Sequence, residues 1–288
     1  METFLYHISS NSGILNNGTK KSNMTFYLPK FIESDDNTKN IYIGISKAEL
    51  PQSWYLINDY NNTLTIQTTT GTMTYTLTKG NYNINTFVSA LTSLLGSNFS
   101  ISYSSITNKL TISYISSFTI IASSTTMYRF LGINEYDNIS STNNSIISPY
   151  VCNFLPIQRI HIRCAELFVD SFNSYDNSSD IFLSLQNNSS SSLGTIVYNN
   201  INNFKYLTNI ENLETLTLRF TDDRNRDIDF NNCDWHLTFQ VEYEYYVKPE
   251  KNTLARFFKL YRQNLANDYF QSLLLQENGF PSLEKKEE

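Results

Sequence analysis

The sequence predicts a mainly β protein: a single jelly-roll sandwich, an inserted α+β domain of ββαββ-like order, and a C-terminal helix. Three observations support this fold class. The chain holds 20 Tyr and 19 Phe among 288 residues and only 17% charged residues, and such side chains, with Thr and Ile, favour pleated strands, whereas Asn and Ser fill turns. Short stretches of alternating apolar and polar residues recur toward both ends of the chain. Helical periodicity is confined to one segment near the middle and one at the C terminus.

The first part of the chain contains few strand signals before residue 23. Ser, Asn and Gly crowd residues 1–22, and we expect an irregular N-terminal arm that becomes ordered only against another surface. Strands are predicted at residues 24–32 and 41–50, where apolar side chains alternate with polar ones. Pro51 ends the second of these strands, because proline cannot donate a hydrogen bond to a neighbouring strand.

Residues 54–148 have a different pattern and are predicted to form an insertion domain of their own. Asn83 is a suitable helix N-cap, and Phe87, Leu91 and Leu94 follow at helical spacing before Gly96. We expect two strands around Gly71 before this helix, three short strands after it, and an irregular return linker. The later elements are predicted at residues 99–103, 110–114 and 118–122 for the strands, and 138–148 for the linker.

Alternation returns after the insertion, and the jelly-roll domain is therefore assigned to residues 23–53 and 149–248. Two strands are predicted before the insertion and six after it. The total of eight is the number of strands in a jelly roll of two sheets. The insertion is expected between the second and third of these strands. The later strands are predicted at residues 157–169, 181–185, 195–198, 204–207, 213–220 and 235–247.

Residues 249–288 are predicted to form a final helix and a tail. Pro249 ends the last strand, Thr253 is a possible N-cap, and apolar side chains follow at helical spacing. The sequence leaves open whether this helix packs on its own domain, docks on a neighbouring subunit or touches a membrane, although few Lys or Arg residues flank it. The candidate partner-binding residues are Phe257, Phe258, Tyr261, Leu265 and Phe270.

Charge and cysteine content exclude several classes of function. The net charge of −6 and the absence of a cluster of Lys and Arg argue against binding to a phosphate backbone. Three scattered cysteines do not make a disulfide framework and are typical of a reducing compartment. We find neither a signal peptide nor an apolar stretch long enough to span a membrane.

The sequence shows no constellation typical of catalysis, and we expect that the protein is not an enzyme. The histidines are His7, in the predicted arm, and His161 and His236, within predicted strands. Cys164 lies three residues from His161, and positions three apart in a strand face opposite sides, so these two side chains are poor co-ligands for zinc. We therefore predict no catalytic residues, no cofactor-binding residues, no metal ligands and no cofactors. No substrate is expected.

Residues 222–229, DDRNRDID, form the densest cluster of charge in the chain. Oxygen-rich loops of this kind bind calcium in some proteins. Here Arg224 and Arg226 offset the acids, and the spacing of a calcium-binding EF-hand loop is absent. We therefore expect a solvated hairpin loop, with calcium binding as the alternative.

Several segments, in this order, resemble the penton (minor capsid) proteins of virophages, polinton-like viruses and related large double-stranded DNA viruses. The resemblance extends over about residues 24–247 and does not include the C-terminal helix. The segments are residues 45–58 (ISKAELPQSWYLIN), 80–84 (GNYNI), 129–133 (RFLGI), 218–222 (LRFTD) and 233–242 (CDWHLTFQVE).

This resemblance implies a virion protein, made in the host cell cytoplasm, with a jelly-roll base and an outward insertion domain. Five copies would form a capsid vertex and contact a double jelly-roll major capsid protein and other minor capsid proteins. Two alternatives remain open: a minor capsid (cement) protein away from the vertex, and an attachment or carbohydrate-binding protein. In the carbohydrate-binding alternative, exposed aromatic residues of the insertion such as Tyr103 or Tyr114 would stack on sugars.

Overall fold

The computed structural model describes residues 1–16, 18, 20–155, 157–167, 171–188, 193–246 and 251–277. The chain forms two compact units. The first extends from Met1 to Glu244 and contains two hydrophobic cores, and the second extends from Tyr245 to Glu288.

The strands and helices follow one another in the order sandwich, insertion, sandwich, helix. The first strands are β1 (Glu2–Ser9), β2 (Ile14–Leu15), β3 (Asn23–Glu33) and β4 (Thr38–Pro51). The insertion contains β5 (Thr63–Thr68), β6 (Gly71–Thr76), α1 (Ile84–Leu95), β7 (Phe99–Ser104), β8 (Lys109–Tyr114), β9 (Phe118–Ile120), α2 (Tyr128–Leu131), β10 (Ile139–Ser140) and β11 (Ser145–Ile147). The remaining elements are β12 (Arg159–Arg163), β13 (Ile181–Gln186), β14 (Thr195–Asn199), β15 (Tyr206–Thr208), β16 (Asn212–Thr221), β17 (His236–Tyr245) and α3 (Lys251–Glu277).

Two antiparallel sheets form the sandwich. One has the order β1-β17-β4-β14, with β15 also paired to β4, and the other has the order β13-β12-β16-β3-β2. The pairs are nested: β1 with β17, β3 with β16, β4 with β14, and β12 with β13. Eight strands paired in this nested way form one long hairpin rolled into two sheets, which is a jelly roll. The predicted fold class is therefore confirmed.

The N-terminal segment differs from the sequence prediction. Instead of an irregular arm, Glu2–Ser9 is a strand that pairs along its whole length with β17, from Glu2↔Tyr243 to Ser9↔His236. Tyr6 and Ile8 are buried in the sandwich core. The insertion consequently follows the third of the eight jelly-roll strands, β4, and not the second. The predicted strand at residues 204–207 is the short β15, an addition to the eight.

The sandwich core is centred on Trp235, which is fully buried. Its ring makes an edge contact with Phe26 at a centroid distance of 5.6 Å and a tilted contact with Phe220 at 4.6 Å. The indole Nε1 donates a hydrogen bond to the carbonyl oxygen of Lys21 at 2.7 Å. Because Phe26 and Phe220 lie on the β3–β16 pair and Trp235 immediately precedes β17, these contacts join the two sheets.

The insertion has its own core and two small sheets, β10-β9-β5-β6 and β11-β8-β7. Helix α1 begins at a capping box in which Asn83 and Thr86 exchange hydrogen bonds, as the sequence predicts for Asn83. Its buried residues are Phe87, Leu91 and Leu95, so Leu95 occupies the position expected for Leu94. The prediction that residues 138–148 form an irregular return linker is also partly wrong, because they contain β10 and β11.

Two further elements have different bounds from the prediction. The strand expected at residues 157–169 is shorter: β12 ends at Arg163, a 3-10 turn follows at Ala165–Leu167, and residues 168–169 lie outside the described residues. Helix α3 begins at Lys251, two residues before the predicted cap Thr253, and Pro249 is outside the described residues. Within the described part of the chain, no helix combines the length and apolar character needed to cross a bilayer.

Candidate functional site

A charged loop, residues 222–229, lies where the sandwich meets the insertion; we call it the junction loop. Asp222 organises it, since its carboxylate accepts hydrogen bonds from the backbone amides of Arg224 and Arg226 and from Nε of Arg226 at 2.8–3.0 Å. Asn225, at the tip, has a φ of +59°, a left-handed conformation that asparagine tolerates better than most residues. Local side-chain bonds therefore shape this loop.

The junction loop reaches across to the insertion. The Arg224 guanidinium donates two hydrogen bonds to the Glu135 carboxylate, at 3.0 and 3.1 Å, and lies over the ring of Tyr128. The hydrogen bonds from Arg224 lower the pKa of Glu135 to about 2, and the same contact raises the pKa of Arg224. Bidentate pairs of this kind fix orientation as well as distance. The expected solvated loop is therefore wrong: Asp222 is buried and the loop connects two parts of the chain.

His161 is a buried histidine next to the same loop, and its Nε2 lies 3.2 Å from Oδ1 of Asp223. Burial lowers the pKa of His161 and outweighs the opposing effect of Asp223, while Arg163 and Arg159 lower it further. A neutral imidazole bonded to a carboxylate is the arrangement of a general base and its orienting group. However, no described Ser, Thr or Cys side chain is hydrogen-bonded to His161, and its Nδ1 has no partner among the described residues.

The other candidate catalytic side chains, His7, His236 and Cys164, are also not arranged as a nucleophile and a base. His7 contacts the Thr238 hydroxyl at 3.1 Å, and His236 is exposed at the start of β17. The Cys164 thiol is buried and donates to Glu166, and burial raises its pKa well above the usual range. A thiol in such surroundings is protonated and unreactive. The described residues thus give no positive evidence of catalysis.

The acidic side chains of the junction loop are not arranged to bind calcium in the described part of the chain. Asp222 is paired with Arg226, and Asp227 accepts a hydrogen bond from Arg219 at 2.6 Å. Across the described ranges, no group of three His, Cys, Asp or Glu side chains is placed to hold a metal ion.

The aromatic residues expected to bind sugars on the insertion are not free to do so. Tyr103 is partly buried and its hydroxyl donates to Asn108 at 2.6 Å. The Tyr114 ring stacks on Phe99 at a centroid distance of 4.3 Å. Because neither ring is exposed, the predicted location of a sugar site is wrong.

A cavity of about 190 Å³ lies beside the junction loop, and we call it the junction cavity. Residues 54–61 and the junction loop supply much of its wall. Tyr60 is half-exposed in that wall, with the cationic groups of Lys20 and Arg226 over its ring at 5.6 and 5.2 Å. The cavity thus combines aromatic and charged groups from both parts of the chain.

A second opening, the edge groove, lies along β1 and β3 and has a volume of about 520 Å³. Phe4, Tyr6 and Leu28 line it, and the Tyr6 hydroxyl is buried without a partner among the described residues. Next to it, Leu5 and Tyr27 are strongly exposed on the sandwich surface. The edge groove is therefore an apolar opening bordered by an edge strand.

The predicted partner-binding residues of α3 are all exposed. At about 100° of rotation per residue, Phe257, Phe258, Tyr261 and Leu265 fall on one side of the helix, which we call the aromatic stripe. Phe270 lies on the opposite side, so the five residues do not form a single face. Whether the stripe binds a partner is untested and stays a prediction.

Comparison with known proteins gives matches among solved structures alone. No family model matches the chain, and no curated protein matches it. Among solved structures, the crystal structure of the selenomethionine-labelled mavirus penton protein matches with a TM-score of 0.46 and 13% sequence identity, over 85% of this chain and 100% of that one.

Proposed function

We propose that this chain is a viral capsid structural protein, the subunit of a pentameric vertex that assembles with a double jelly-roll major capsid protein. Jelly rolls serve many functions, so the fold by itself is insufficient. The observation that carries the proposal is the agreement between two features of the same residues. The segments that resemble penton proteins fold into a jelly roll with an inserted domain, the architecture that the resemblance implies.

The sandwich has a surface suited to contacts between subunits. Edge strands usually carry a lysine, a proline or a bulge that prevents pairing with another chain. Strand β1 (ETFLYHIS) contains no lysine or proline, its register with β17 has no bulge, and β17 is its only partner among the described strands. Exposed Leu5 and the edge groove extend the same surface. A ring of five copies requires one such surface to meet a different surface of the neighbour.

The aromatic stripe on α3 is the second surface in the proposal. Aromatic side chains bury large areas at little conformational cost, and they anchor many interfaces. We propose that the stripe docks on a neighbouring capsid subunit, with Phe257, Phe258, Tyr261 and Leu265 as contacts. A stable contact of this kind buries about 1,200 Å² or more in total.

The protein would be made in the host cell cytoplasm and act in the virion. Its three cysteines are free, which agrees with assembly in a reducing compartment. The partners in this proposal are other copies of the chain, the major capsid protein and other minor capsid proteins.

Electron microscopy of the purified chain, alone and co-expressed with the major capsid protein of the same virus, tests the proposal. We expect five-membered rings, or particles that carry the chain at their vertices. A position elsewhere in the shell would instead indicate a cement protein. A chain that stays monomeric at high concentration and is absent from purified particles would contradict a capsid role.

A further inference from the structure

The sheet that contains β1 has two open edges. Its strand order is β1-β17-β4-β14, so β1 lies at one edge and β14 at the other. Strand β14 (TIVYN) contains no lysine or proline, its register with β4 has no bulge, and β4 is its only partner among the described strands. Neither edge therefore carries the features that usually prevent pairing with another chain. The two edges are different surfaces on opposite sides of one sheet, as a ring of copies requires.

The backbone of β1 directs alternate hydrogen-bonding groups to its open edge. In an antiparallel pair, residues that exchange hydrogen bonds with the partner alternate with residues that do not. The amide of Ser10, next to the end of β1, donates to the carbonyl oxygen of Trp235 at 3.1 Å, which fixes this alternation. The N–H and C=O groups of Thr3, Leu5 and His7 consequently point away from β17.

The backbone of β14 has the same arrangement at the opposite edge. Just beyond the end of this strand, the amide of Asn200 donates to the carbonyl oxygen of Ser46 at 2.9 Å. By the same alternation, the N–H and C=O groups of Thr195 and Val197 point away from β4. The Val197 side chain is 45% exposed, and that of Leu5 on β1 is 55% exposed. Each edge thus presents an apolar side chain at a residue whose backbone is directed outward.

The direction of the strands suits a sheet that continues from one copy to the next. Strand β1 is antiparallel to β17, and β14 is antiparallel to β4. Strands β4 and β17 are antiparallel as well, because Asn40 bonds to Glu244 and Ser46 bonds to Thr238. Four alternating strands give β1 and β14 opposite directions. Around an axis that runs along the strands, β14 of one copy therefore meets β1 of the next copy as an antiparallel partner.

We propose that β1 of each copy pairs with β14 of its neighbour, with Leu5 opposite Val197, so that this sheet continues around the ring. The inference rests on the proposed function and names the surface of the neighbour that β1 meets. In this register the outward-directed backbone groups of the two strands face each other. It also places Phe4 opposite Tyr198, and both are partly buried aromatic residues packed against the sandwich core. Cross-strand aromatic pairs stabilise a sheet.

Charge pairs at Leu5 and Val197 test this register. Leu5→Lys with Val197→Lys places two cations opposite each other, whereas Leu5→Lys with Val197→Glu places opposite charges there. We expect the first double variant to assemble at least tenfold more weakly than the second at low salt. Sedimentation of the full chain, or its quantification in particles after co-expression with the major capsid protein, measures assembly. Both side chains are about half-exposed, so the variants are expected to fold, which an unchanged melting temperature checks.

Met73 supplies the matched control, because it is 60% exposed on β6, an edge strand of the insertion. Leu5→Lys with Met73→Lys and Leu5→Lys with Met73→Glu have the same net charges as the two test variants. We expect these two control variants to assemble equally. A tenfold difference between them would overturn the inference, since the effect would then follow net charge and not the pairing of two strands.

The test separates this inference from the capsid proposal. If the wild type forms rings and the two Val197 double variants assemble equally, the pairing of β1 with β14 is overturned and the capsid proposal stands. If the wild type stays monomeric and is absent from purified particles, both are overturned.

Discussion

The ion pair between Arg224 and Glu135 is bidentate and connects the sandwich to the insertion. It has two parallel hydrogen bonds and both side chains are about one-third exposed or less. In the pair between Lys79 and Asp59, the ammonium group lies 3.2 Å from both carboxylate oxygens, and the side chains are about half exposed. Exposed pairs contribute between zero and about 1 kcal/mol because water screens them. We therefore expect the first pair, but not the second, to contribute measurably to the free energy of unfolding.

Glu135→Gln is predicted to lower the free energy of unfolding by about 1 kcal/mol at pH 7, discounted for partial exposure of the pair. The folded pKa of Glu135 is depressed from 4.5 to about 2, so its contribution is fully present above pH 4.5 and is lost as the pH falls toward 2. Urea denaturation of wild type and variant at pH 7 and near pH 2 measures this difference, which should shrink in acid.

Asp59→Asn is the matched control for this prediction, and its effect should stay below about 0.5 kcal/mol. If the two variants lose equal stability at pH 7, the ion pair at the junction has no special role.

At the scale of elements, β1 closes one end of a sheet and supplies part of the sandwich core. Its side chains alternate, with Tyr6 and Ile8 buried and Leu5 and His7 exposed. The two faces of this one strand therefore differ, because the inner face stabilises the fold and the outer face is exposed.

Ile8→Ala is predicted to lower the free energy of unfolding by about 2–5 kcal/mol, because it leaves a cavity in the core. Leu5→Ala, at a side chain 55% exposed in the same strand, should change stability by less than about 0.5 kcal/mol. Chemical denaturation monitored by tryptophan fluorescence measures both values. Equal and small losses would indicate that the N-terminal segment is an irregular arm after all.

Part of the pattern of β1 is present in the sequence, as the large apolar residues Phe4, Tyr6 and Ile8 occupy alternate positions. It is easily missed because residues 9–18 are rich in Ser, Asn and Gly. Strong alternation made β4 and β17 predictable. By contrast, β10 and β11 are two and three residues long, and such strands depend on partners distant in sequence and not on their own propensity.

At the scale of the whole molecule, the sequence predicted the architecture better than the sites. The jelly roll and its insertion follow from local periodicity and the number of strands. The sequence shows that the junction loop is charged, but its partner Glu135 lies in the insertion, far away in the sequence. Likewise, the burial of Tyr103 and Tyr114 depends on tertiary contacts that a periodic pattern does not contain. Contacts of this kind define both the junction and its cavity.

The aromatic stripe leads to a prediction about assembly. Replacing Phe257, Phe258 and Tyr261 together with Ser is expected to reduce incorporation into particles by tenfold or more, because the aromatic contacts are lost. Co-expression with the major capsid protein and quantification of the chain in purified particles measures the effect. Phe270→Ser, on the opposite side of the helix, is the control and should be incorporated normally. Equal incorporation of all variants would exclude the stripe as a docking surface.

The nested strand pairing has a consequence for synthesis of the protein on the ribosome. Strand β1 is translated well before β17, its only partner among the described strands of the sheet. The insertion, by contrast, is continuous in sequence, and all the residues of its core are translated before β17. Because distant pairings are slow to form, the insertion becomes structured co-translationally while the apolar face of β1 waits unpaired. The nascent chain therefore passes through a stage in which its first strand needs shielding, and early release would favour aggregation over folding.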